Sequence, residues 1–527
     1  MEILTVKDLT FTYPTSSSES LKNISFSVNE GELVVVCGRT GGGKTTLLKQ
    51  LVPSVAPLGR RLGSIDTHGC RIAYVCQSPD EQIVCDKVYA ELAFALENQA
   101  MARREMITKI AEASDFFGLD DILHSDCNSL SGGQKQIVAI ASAMICQPDI
   151  LVLDEPTSRL DPIAKEKLLS LIKKINRELA CCVIICEHSI EMLLEYADKM
   201  LILDKELIYY GTVDAGLKAL SEYPPLHDAM PSSARIYSKF NIDCKVPITV
   251  KDGRDYIRAY FKNSIRTLSE DKNDEPMEPA IEIKGLYFRY TKNGADVLRG
   301  TDLRVKKGQI FCLLGGNGSG KSTLLSIIAG GLRAYSGEIR ILGKRLKQYS
   351  GDLYETVTLL PQDVLTVFSR DTVRQELSEC KNIDEFPYDF TPILDNHPYD
   401  ISGGQAQLLA LAMATGNDQG IILLDEPTKG LDKEASLSIA DMIKKLKDKG
   451  RTVLCVTHDS EFAAMCADRC ALLFNGECTE DLPMIEFFSR NTFYTTPVSR
   501  MTRNYYENII TVDKCVEIMK INGEKTV

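Results

Sequence analysis

The sequence lacks the features of several common protein classes. No uninterrupted apolar run of about 18 residues occurs in it, so no segment is expected to span a bilayer. The opening residues, MEILTVKDL, have neither the basic start nor the apolar core of a secretory signal peptide. The net charge is −12, which argues against a general nucleic-acid-binding protein because such a protein needs a basic surface. We therefore expect a globular chain that acts at a membrane only through a partner.

The cysteines do not indicate a metal site. There are 17 of them, and they do not form matching C-x-x-C pairs of the kind that hold zinc or iron–sulfur clusters. Many lie inside apolar segments, among them Cys37, Cys182, Cys312 and Cys455. We interpret these as small buried side chains that a reducing cytosol keeps as thiols. The length, 527 residues, exceeds what one core supports and suits two to four domains.

What the chain has instead is a set of five motifs that occurs twice in the same order. Each set contains a Gly-rich loop ending in Lys-Thr or Lys-Ser, a glutamine after an apolar segment, a Ser-Gly-Gly-Gln turn, an apolar segment ending in Asp-Glu-Pro-Thr, and a histidine. The first set is 38–45, Gln77, 131–134, 154–157 and His188, and the second is 315–322, Gln362, 402–405, 425–428 and His458. Such a repeated order indicates one functional unit present twice.

The offset between the two sets is nearly constant. Lys44 and Lys321 are 277 positions apart, and Asp154 and Asp425 are 271 apart. An offset of this size indicates duplication of a whole domain, because the short repeats of solenoid proteins recur at about 20–50 residues. We predict a first α/β domain over 1–214, its extension over 215–267, a linker over 268–279, a second α/β domain over 280–480 and a C-terminal extension over 481–527.

The two halves differ most between the glutamine and the Ser-Gly-Gly-Gln turn. From Gln77 to Ser131 there are 54 positions, but from Gln362 to Ser402 there are 40. At a rise of about 1.5 Å per residue, this difference corresponds to one helix. The second half is therefore predicted to lack a helix that the first half has.

Each Gly-rich loop lies between a predicted buried strand (33–37, 310–314) and a predicted helix (44–51, 321–329), which is the context of a phosphate-binding loop. Further apolar runs predict central parallel strands at 150–153, 182–185, 421–424 and 452–456. Loop glycines let backbone N–H groups turn toward phosphates at a helix N-terminus, while the lysine reaches the β- and γ-phosphates and the hydroxyl after it binds Mg²⁺. The predicted nucleotide contacts here are Gly38, Gly41, Gly43, Lys44, Thr45, Thr46, Gly315, Gly318, Gly320, Lys321, Ser322 and Thr323.

The acidic pairs are predicted to complete a metal and hydrolysis site. Asp154 and Asp425 end buried strands, where a carboxylate is costly unless it meets a metal or a donor, and Mg²⁺ would satisfy it. The next residues, Glu155 and Glu426, point elsewhere by strand alternation and can polarise a water for attack on the γ-phosphate.

The Ser-Gly-Gly-Gln turns precede two further predicted helices. Serine is a good N-cap and the glycines expose the first helical N–H groups, so each turn is a second anion-binding position, although a capped helix without a ligand explains an isolated turn equally well. The residues concerned are Ser131, Gly132, Gly133, Gln134, Ser402, Gly403, Gly404 and Gln405. Only six histidines exist, and His188 and His458 end equivalent strands, where each could donate to a γ-phosphate oxygen.

This ordered set resembles the ATP-binding cassette (ABC) ATPase family over nearly the whole chain. The resemblance implies two tandem nucleotide-binding domains, each with a parallel-sheet core and a helical subdomain, which hydrolyse ATP with Mg²⁺ at two intact sites. It also implies that Tyr13 and Tyr290 stack on adenine and that Gln77 and Gln362 contact Mg²⁺ and the attacking water. In the family two domains dock head to tail through loops that correspond to 158–161 and 429–432. Each phosphate loop then faces the Ser-Gly-Gly turn of the other half, which here makes the dimer intramolecular.

Two segments are similar to ATPases of energy-coupling factor (ECF) importers of vitamins or metal ions. They are 76–98, CQSPDEQIVCDKVYAELAFALEN, and 487–503, FFSRNTFYTTPVSRMTR. That resemblance implies a membrane-embedded coupling subunit and a substrate-binding membrane subunit as partners, and a peripheral position on the cytoplasmic face of the membrane. It also implies that the segments after the two glutamines form the docking groove.

Three other classes of ABC protein fit the sequence less well. Tandem sugar-importer ATPases usually have one degraded site, and neither site here is degraded. Ribosome-associated ABC-F factors carry a charged helical arm between the cassettes, whereas 215–279 has ten Lys/Arg and ten Asp/Glu. DNA-repair ABC ATPases need a zinc insertion or coiled coil for which the gaps leave no room. A basic stripe of Arg254, Arg258, Lys262 and Arg266 is either the solvated face of a packed helix or a contact for RNA or anionic lipid.

Overall fold

The computed structural model describes residues 1–14, 18–158, 160, 162–187, 190–240, 242–267, 278–349 and 351–525. Within them the chain divides into two compact units, Met1–Thr249 and Val250–Val527. Each unit has its own β-structure and hydrophobic core.

The first unit is built on one mixed sheet of nine strands in the order β4-β1-β2-β9-β8-β3-β7-β6-β5. The strands are β1 Glu2–Thr12, β2 Leu21–Asn29, β3 Leu33–Gly38, β4 Arg60–Asp66, β5 Ile72–Val75, β6 Ile150–Asp154, β7 Cys182–Cys186, β8 Lys199–Asp204 and β9 Glu206–Gly211. The run from β8 to β5 is parallel, and every residue of β6 and β7 is buried. This confirms the predicted central strands, whose continuous apolar sequence suits a sheet covered on both faces.

The described residues of this unit form nine α-helices. They are α1 Lys44–Leu51, α2 Pro79–Gln82, α3 Val88–Glu97, α4 Arg103–Phe117, α5 Gly132–Met144, α6 Pro162–Leu179, α7 Glu191–Leu194, α8 Val213–Glu222 and α9 Ser232–Tyr237. Helix α4 buries one face, including Ile110, Ala113 and Phe117, and ends at Gly118, whose φ of 66° is left-handed. A glycine suits this C-terminal position because it has no Cβ to oppose that conformation.

The second unit repeats the parallel core with a separate antiparallel sheet. The strands are β10 Pro279–Phe288, β11 Leu298–Lys306, β12 Ile310–Leu314, β13 Ser336–Ile341, β14 Lys344–Arg345, β15 Val357–Leu360, β16 Ile421–Asp425, β17 Thr452–Val456, β18 Arg469–Phe474, β19 Glu477–Cys478 and β20 Leu482–Pro483. One sheet has the order β11-β10-β13-β14, and the other has β15-β16-β17-β12-β18-β19 with β20 beside β18. The strands from β15 to β18 are parallel.

The helices of the second unit are α10 Val250–Tyr260, α11 Lys321–Ile328, α12 Leu353–Thr356, α13 Val373–Leu377, α14 Gly403–Thr415, α15 Lys433–Asp448, α16 Ser460–Cys466, α17 Met484–Arg490, α18 Pro497–Thr502 and α19 Val512–Asn522. Between α13 and α14 the described backbone forms only short 3-10 turns, at Ile383–Glu385 and Thr391–Ile393. The helix predicted to be missing from this half is therefore the counterpart of α4.

The predicted extension of the first domain needs one correction. Residues 250–267 were assigned to that extension, but they pack in the second unit. The buried Tyr506 donates its hydroxyl to the Lys262 carbonyl at 3.0 Å, and Asn522 exchanges two hydrogen bonds of 2.8 Å with the backbone of Ile265. The segment therefore forms one structure with the C-terminal extension. No local sequence pattern predicts this pairing, because the two segments are far apart in the chain.

The predicted basic stripe is not one helical face. Helix α10 ends at Tyr260, so Lys262 and Arg266 lie beyond it. Arg254 donates to the carbonyl of Arg500 at 2.8 Å, and Arg266 lies 3.4 Å from the carboxylate of Glu507. Both of these cations thus contact the C-terminal extension, which favours a structural role for them. The cysteines agree with their prediction, since Cys37, Cys182, Cys312 and Cys455 are buried free thiols.

Candidate nucleotide sites

The two Gly-rich loops have the same local structure. Helices α1 and α11 begin at Lys44 and Lys321, directly after Gly43 and Gly320, whose φ angles of 91° and 103° are left-handed. A Cβ on Gly43 would lie 2.6 Å from the Ser20 carbonyl oxygen, so a larger residue does not fit there. The glycine thereby turns the first helical N–H groups toward the loop, which is the geometry that binds phosphate.

The loop lysines lie across their own loops. Lys44 Nζ donates to the carbonyl oxygens of Gly38 and Arg39 at 2.8 and 2.9 Å. Lys321 Nζ donates to the carbonyl oxygens of Gly315 and Gly316, both at 3.0 Å. Both lysines are 6% exposed. Each ammonium group is therefore held by two carbonyl oxygens of its own loop. The predicted loop glycines, including Gly41 and Gly318, occupy the same loops.

A tyrosine lies beside each of these helices. Tyr13 and Thr46 are joined by a hydroxyl–hydroxyl hydrogen bond of 3.1 Å, and Tyr290 and Thr323 by one of 2.8 Å. Each tyrosine ring also meets the edge of a phenylalanine two residues before it, with centroids 4.9 and 5.0 Å apart. Tyr290 is 64% exposed, so its ring has a free face beside the loop. This placement suits the predicted adenine contact, which stays a prediction.

A buried aspartate ends the strand beside each loop. Thr45 donates its hydroxyl to Asp154 Oδ1 at 3.2 Å, and Tyr74 donates to Asp154 Oδ2 at 2.9 Å. Asp154 is 2% exposed, and burial followed by the charge of Glu155 raises the pKa of its carboxyl. Its ionised form is thus destabilised until a cation or more donors arrive.

The equivalent aspartate provides a direct test of whether Mg²⁺ fits. Asp425 is 4% exposed, and its Oδ1 has no hydrogen-bond partner among the described residues. Burial raises the pKa of this carboxyl, and the hydroxyl of the predicted Mg²⁺ ligand Ser322 offsets only part of the rise. A buried carboxylate oxygen without a donor, next to a hydroxyl, is a suitable ligand pair for Mg²⁺. The residues present therefore fit the ion.

The catalytic glutamates predicted from the sequence occupy strained turns. Glu155 and Glu426 have left-handed φ angles of 47° and 51°. Their N–H groups donate to the last residues of the neighbouring strands, Cys186 and Val456, at 3.0 and 2.9 Å. Both glutamates are nearly buried, at 8% and 6% exposure. Left-handed backbone at a non-glycine residue is costly, and both units adopt it at the same residue of the repeat.

The two carboxylates are held by different neighbours. Gln77 Nε2 donates to Glu155 Oε2 at 2.8 Å, which brings two predicted site residues together. In the second unit His458 Nδ1 lies 2.8 Å from Glu426 Oε1, and Thr457 Oγ1 donates to Oε2 at 3.2 Å. Gln362 is exposed, and no hydrogen bond between it and Glu426 is found in the described part of the chain. His188 lies outside the described residues.

The Glu426–His458 contact has a clear electrostatic direction. Burial alone would raise the pKa of the Glu426 carboxyl, but the hydrogen bond and charge of His458 outweigh it and the pKa lies below its ordinary value. Burial likewise lowers the pKa of the His458 imidazole, and the bond to Glu426 reverses this and raises it. The pair therefore favours an ionised carboxylate beside a protonated imidazole.

Two residues near the first site, one partly buried and one buried, were not predicted from the sequence. One is Tyr74, which contacts Asp154, and the other is Glu187, whose Oε1 accepts the Thr157 N–H at 2.8 Å. Their counterparts in the second half are Leu359 and Thr457. Because neither residue type is repeated, comparison of the two halves does not identify Tyr74 or Glu187 as site residues. The signal that could have found Glu187 is an acidic residue directly after a fully apolar strand.

The Ser-Gly-Gly-Gln turns are reciprocal capping boxes. Ser131 Oγ accepts the Gln134 N–H at 3.3 Å while Gln134 Oε1 accepts the Ser131 N–H at 2.9 Å. Ser402 and Gln405 form the same pair at 3.3 and 3.0 Å. Both serines are exposed, and Gly132, Gly133, Gly403 and Gly404 form the first turns of α5 and α14. Each turn thus presents an accessible helix N-terminus, as predicted.

Known proteins share this arrangement. The sequence profile of the ABC transporter family matches residues 21–158 and 298–429. A Bacillus anthracis protein named as an ABC transporter ATP-binding protein is 34% identical, over 94% of this chain and 95% of its own length. A Clostridium tetani protein of the same name is 33% identical, over 82% of this chain and 99% of its own length.

A solved structure shares the tandem fold. The archaeal ribosome recycling factor aABCE1, solved with the ribosomal stalk protein aP1, has a TM-score of 0.60 at 21% identity and covers 92% of this chain and 91% of its own. Members of the matched family bind ATP with Mg²⁺. The chain belongs to the ABC transporter family of ATP-binding proteins, with two tandem cassettes, and is an ATP-hydrolysing enzyme.

Proposed function

We propose that this chain powers import through a separate membrane complex of the ECF type, which carries a vitamin or a metal ion, and that both of its cassettes hydrolyse ATP. The observation that carries the proposal is that both units have a phosphate loop and a capped turn with the same local geometry, together with a buried Asp-Glu pair in each. The relatives described above are named as ABC transporter ATP-binding proteins, which supports the coupling to transport.

The surface after each glutamine supports a membrane partner. In the first unit Val84 is 65% exposed and Phe94 is 44% exposed, and both lie in the 76–98 segment that resembles ECF ATPases. In the second unit Leu365, three residues after Gln362, is 40% exposed. Exposed apolar side chains in these segments suit the docking of helices from a coupling subunit. No helix among the described residues is long and apolar enough to cross a bilayer.

The site residues would have different roles in ATP hydrolysis. The N–H groups of the phosphate loop and Lys44 or Lys321 bind the β- and γ-phosphates. Glu155 or Glu426 orients a water and accepts its proton as it attacks the γ-phosphate. Thr45 with Asp154, and Ser322 with Asp425, would hold Mg²⁺. When bound, the ion supplies positive charge that stabilises the negative charge developing on the phosphate oxygens.

The test of two hydrolytic sites is to change Glu155 and Glu426 to Gln, singly and together. Glutamine keeps the shape but cannot accept the proton, so the double variant should bind ATP and hydrolyse it about 10²–10⁴-fold more slowly. Each single variant should keep measurable hydrolysis. If one single variant hydrolyses ATP like the unchanged chain while the other is inactive, the proposal of two active sites is wrong.

The test of transport coupling is purification of the tagged chain from its own cells in mild detergent. We expect small integral-membrane proteins to copurify with it in stoichiometric amounts. Val84→Asp with Phe94→Asp should release them without lowering the ATPase activity of the isolated chain, whereas Leu58→Asp, at an 86% exposed site outside that segment, is the matched control. Recovery of ribosomes without a membrane protein would favour the translation-linked class instead and contradict the import proposal.

A further inference from the structure

The glutamate turns, residues 155–158 and 426–429, follow the two buried aspartates and are held by different side chains in the two units. In each turn the carbonyl oxygen of the first residue accepts the N–H of the fourth, at 3.2 and 3.1 Å. In each, the N–H of the first residue donates to the last residue of the neighbouring strand. These backbone bonds are the same in both units, so the difference lies in the side chains that contact the turns.

In the first unit the glutamate turn is held by Glu187. Its Oε1 accepts the N–H of Thr157 at 2.8 Å, and both residues are 3% exposed. Loss of an acceptor at such a site is costly, because water does not replace it at the buried N–H group. Glu187 directly follows Cys186, whose carbonyl oxygen accepts the N–H of Glu155 at 3.0 Å. Two consecutive residues after the same strand therefore hold the turn at two points.

In the second unit the glutamate turn is held by Gln407. Its Nε2 donates to the carbonyl oxygens of Glu426 and Pro427 at 3.3 and 3.2 Å, and the residue is 4% exposed. Thr457, which occupies the position of Glu187, donates instead to the carboxylate of Glu426 at 3.2 Å. Gln407 lies in α14, five positions after the capping Ser402. The helix that carries the capped turn therefore also holds the glutamate turn of its own unit.

The glutamine at the same position of the first unit does not make these bonds. Gln136 lies in α5, five positions after Ser131, and is 2% exposed. Its Nε2 is buried and has no hydrogen-bond partner among the described residues. A buried amide without a partner costs free energy and does not hold a neighbouring segment in place. The first unit thus relies on Glu187, and the second unit relies on Gln407.

We propose that Glu187 and Gln407 are the positioning residues of the two hydrolytic sites, each of which fixes the turn that orients Glu155 or Glu426. The proposal rests on the proposed hydrolysis of ATP at both cassettes. The left-handed backbone of both glutamates persists only where the surrounding structure holds it, and these side chains supply part of that support. Because each acts on a turn and not on the nucleotide, its loss should slow the reaction more than it weakens ATP binding.

The test makes one substitution at three positions, since Met has nearly the size of Glu or Gln but neither the carboxylate nor the amide. Glu187→Met is measured with Glu426→Gln, and Gln407→Met with Glu155→Gln, so that only the site of the altered unit hydrolyses. We expect kcat to fall about tenfold in each, with KM for ATP changed less than about twofold. Glu187→Gln keeps an acceptor oxygen without the charge and should restore most of the rate. Gln136→Met with Glu426→Gln is the matched control and should keep the rate, because the amide that it removes has no partner.

Hydrogen exchange in 155–160 and 426–431 gives a second measurement that does not require hydrolysis. Glu187→Met should speed exchange only in the first segment and Gln407→Met only in the second, while Gln136→Met should change neither. The proposal is overturned if Glu187→Met and Gln407→Met keep the parent kcat, if Gln136→Met slows hydrolysis as much as they do, or if exchange is unchanged in the altered unit. A parent chain that fails to hydrolyse ATP contradicts the two-site function instead, and the exchange measurement then decides the positioning role.

Discussion

Replacement of His458 tests whether the imidazole keeps the Glu426 carboxylate ionised. Two variants separate the two ring nitrogens. The amide of Asn can occupy the position of Nδ1, which contacts Glu426 Oε1 at 2.8 Å, whereas the amide of Gln reaches the position of Nε2. His458→Asn should therefore keep a donor for the carboxylate, and His458→Gln should remove it while keeping a donor that could reach a γ-phosphate.

The size of the effect follows from that contact. A hydrogen bond to a charged group contributes about 1.5–3 kcal/mol, and about 1.4 kcal/mol corresponds to one pH unit. Burial raises the pKa of Glu426 and His458 counteracts it, so removal of the Nδ1 donor should raise that pKa. The acidic limb of the pH–rate profile should move up by about one to two pH units in His458→Gln. The bonds from Thr457 and the His458 backbone remain and favour the lower value.

The assay is steady-state phosphate release between pH 5 and 9 with saturating Mg·ATP, in a chain that also carries Glu155→Gln so that only the second site hydrolyses. His458→Gln should shift the acidic limb and keep most of the plateau rate. His458→Asn should shift the limb little and lower the plateau, because its donor to the γ-phosphate is lost. If both variants leave the limb in place and lower the plateau equally, the imidazole does not control the ionisation of Glu426.

Two further predictions concern binding and stability. Lys44→Ala or Lys321→Ala removes the ammonium group from one phosphate loop, so calorimetric titration should show one ATP per chain in place of two; unchanged stoichiometry in either variant would remove that lysine from its site. Tyr506→Phe deletes the buried hydroxyl that donates to the Lys262 carbonyl, which should lower the free energy of unfolding of the second unit by about 1 kcal/mol in urea without changing ATPase activity. No loss of stability would show that this contact does not hold residues 250–267 to the C-terminal extension.

The sequence predicts those parts of the site that depend on local backbone. Gly43 and Gly320 must adopt left-handed φ before a helix, and Ser131 and Ser402 cap helices through the glutamine three residues later. Such features are encoded within a few residues, so a motif is enough to identify them.

The parts that the sequence does not reveal depend on side chains brought together from distant segments. Tyr74 reaches Asp154 from the neighbouring strand, 80 positions earlier in the chain. Its counterpart, Leu359, cannot form that bond, so comparison of the repeats gives no sign of it. The pairing of Ile265 with Asn522 joins segments 257 positions apart and has no counterpart motif at all.

The length difference between the repeats shows how a simple count can carry structural information. The shorter stretch between Gln362 and Ser402 predicts a missing helix, and the second unit has none between α13 and α14 in its described residues. The count does not say what happens to the surface that the helix covers in the first unit. If loss of the helix exposed that surface to water, polar residues would be favoured there, because an apolar side chain contributes to stability only when it is buried. Met442 and Leu446 nevertheless stay apolar, because the second unit buries them itself: they are 7% and 8% exposed and belong to its core, against which Ile383 and Phe386 from the shorter connection pack.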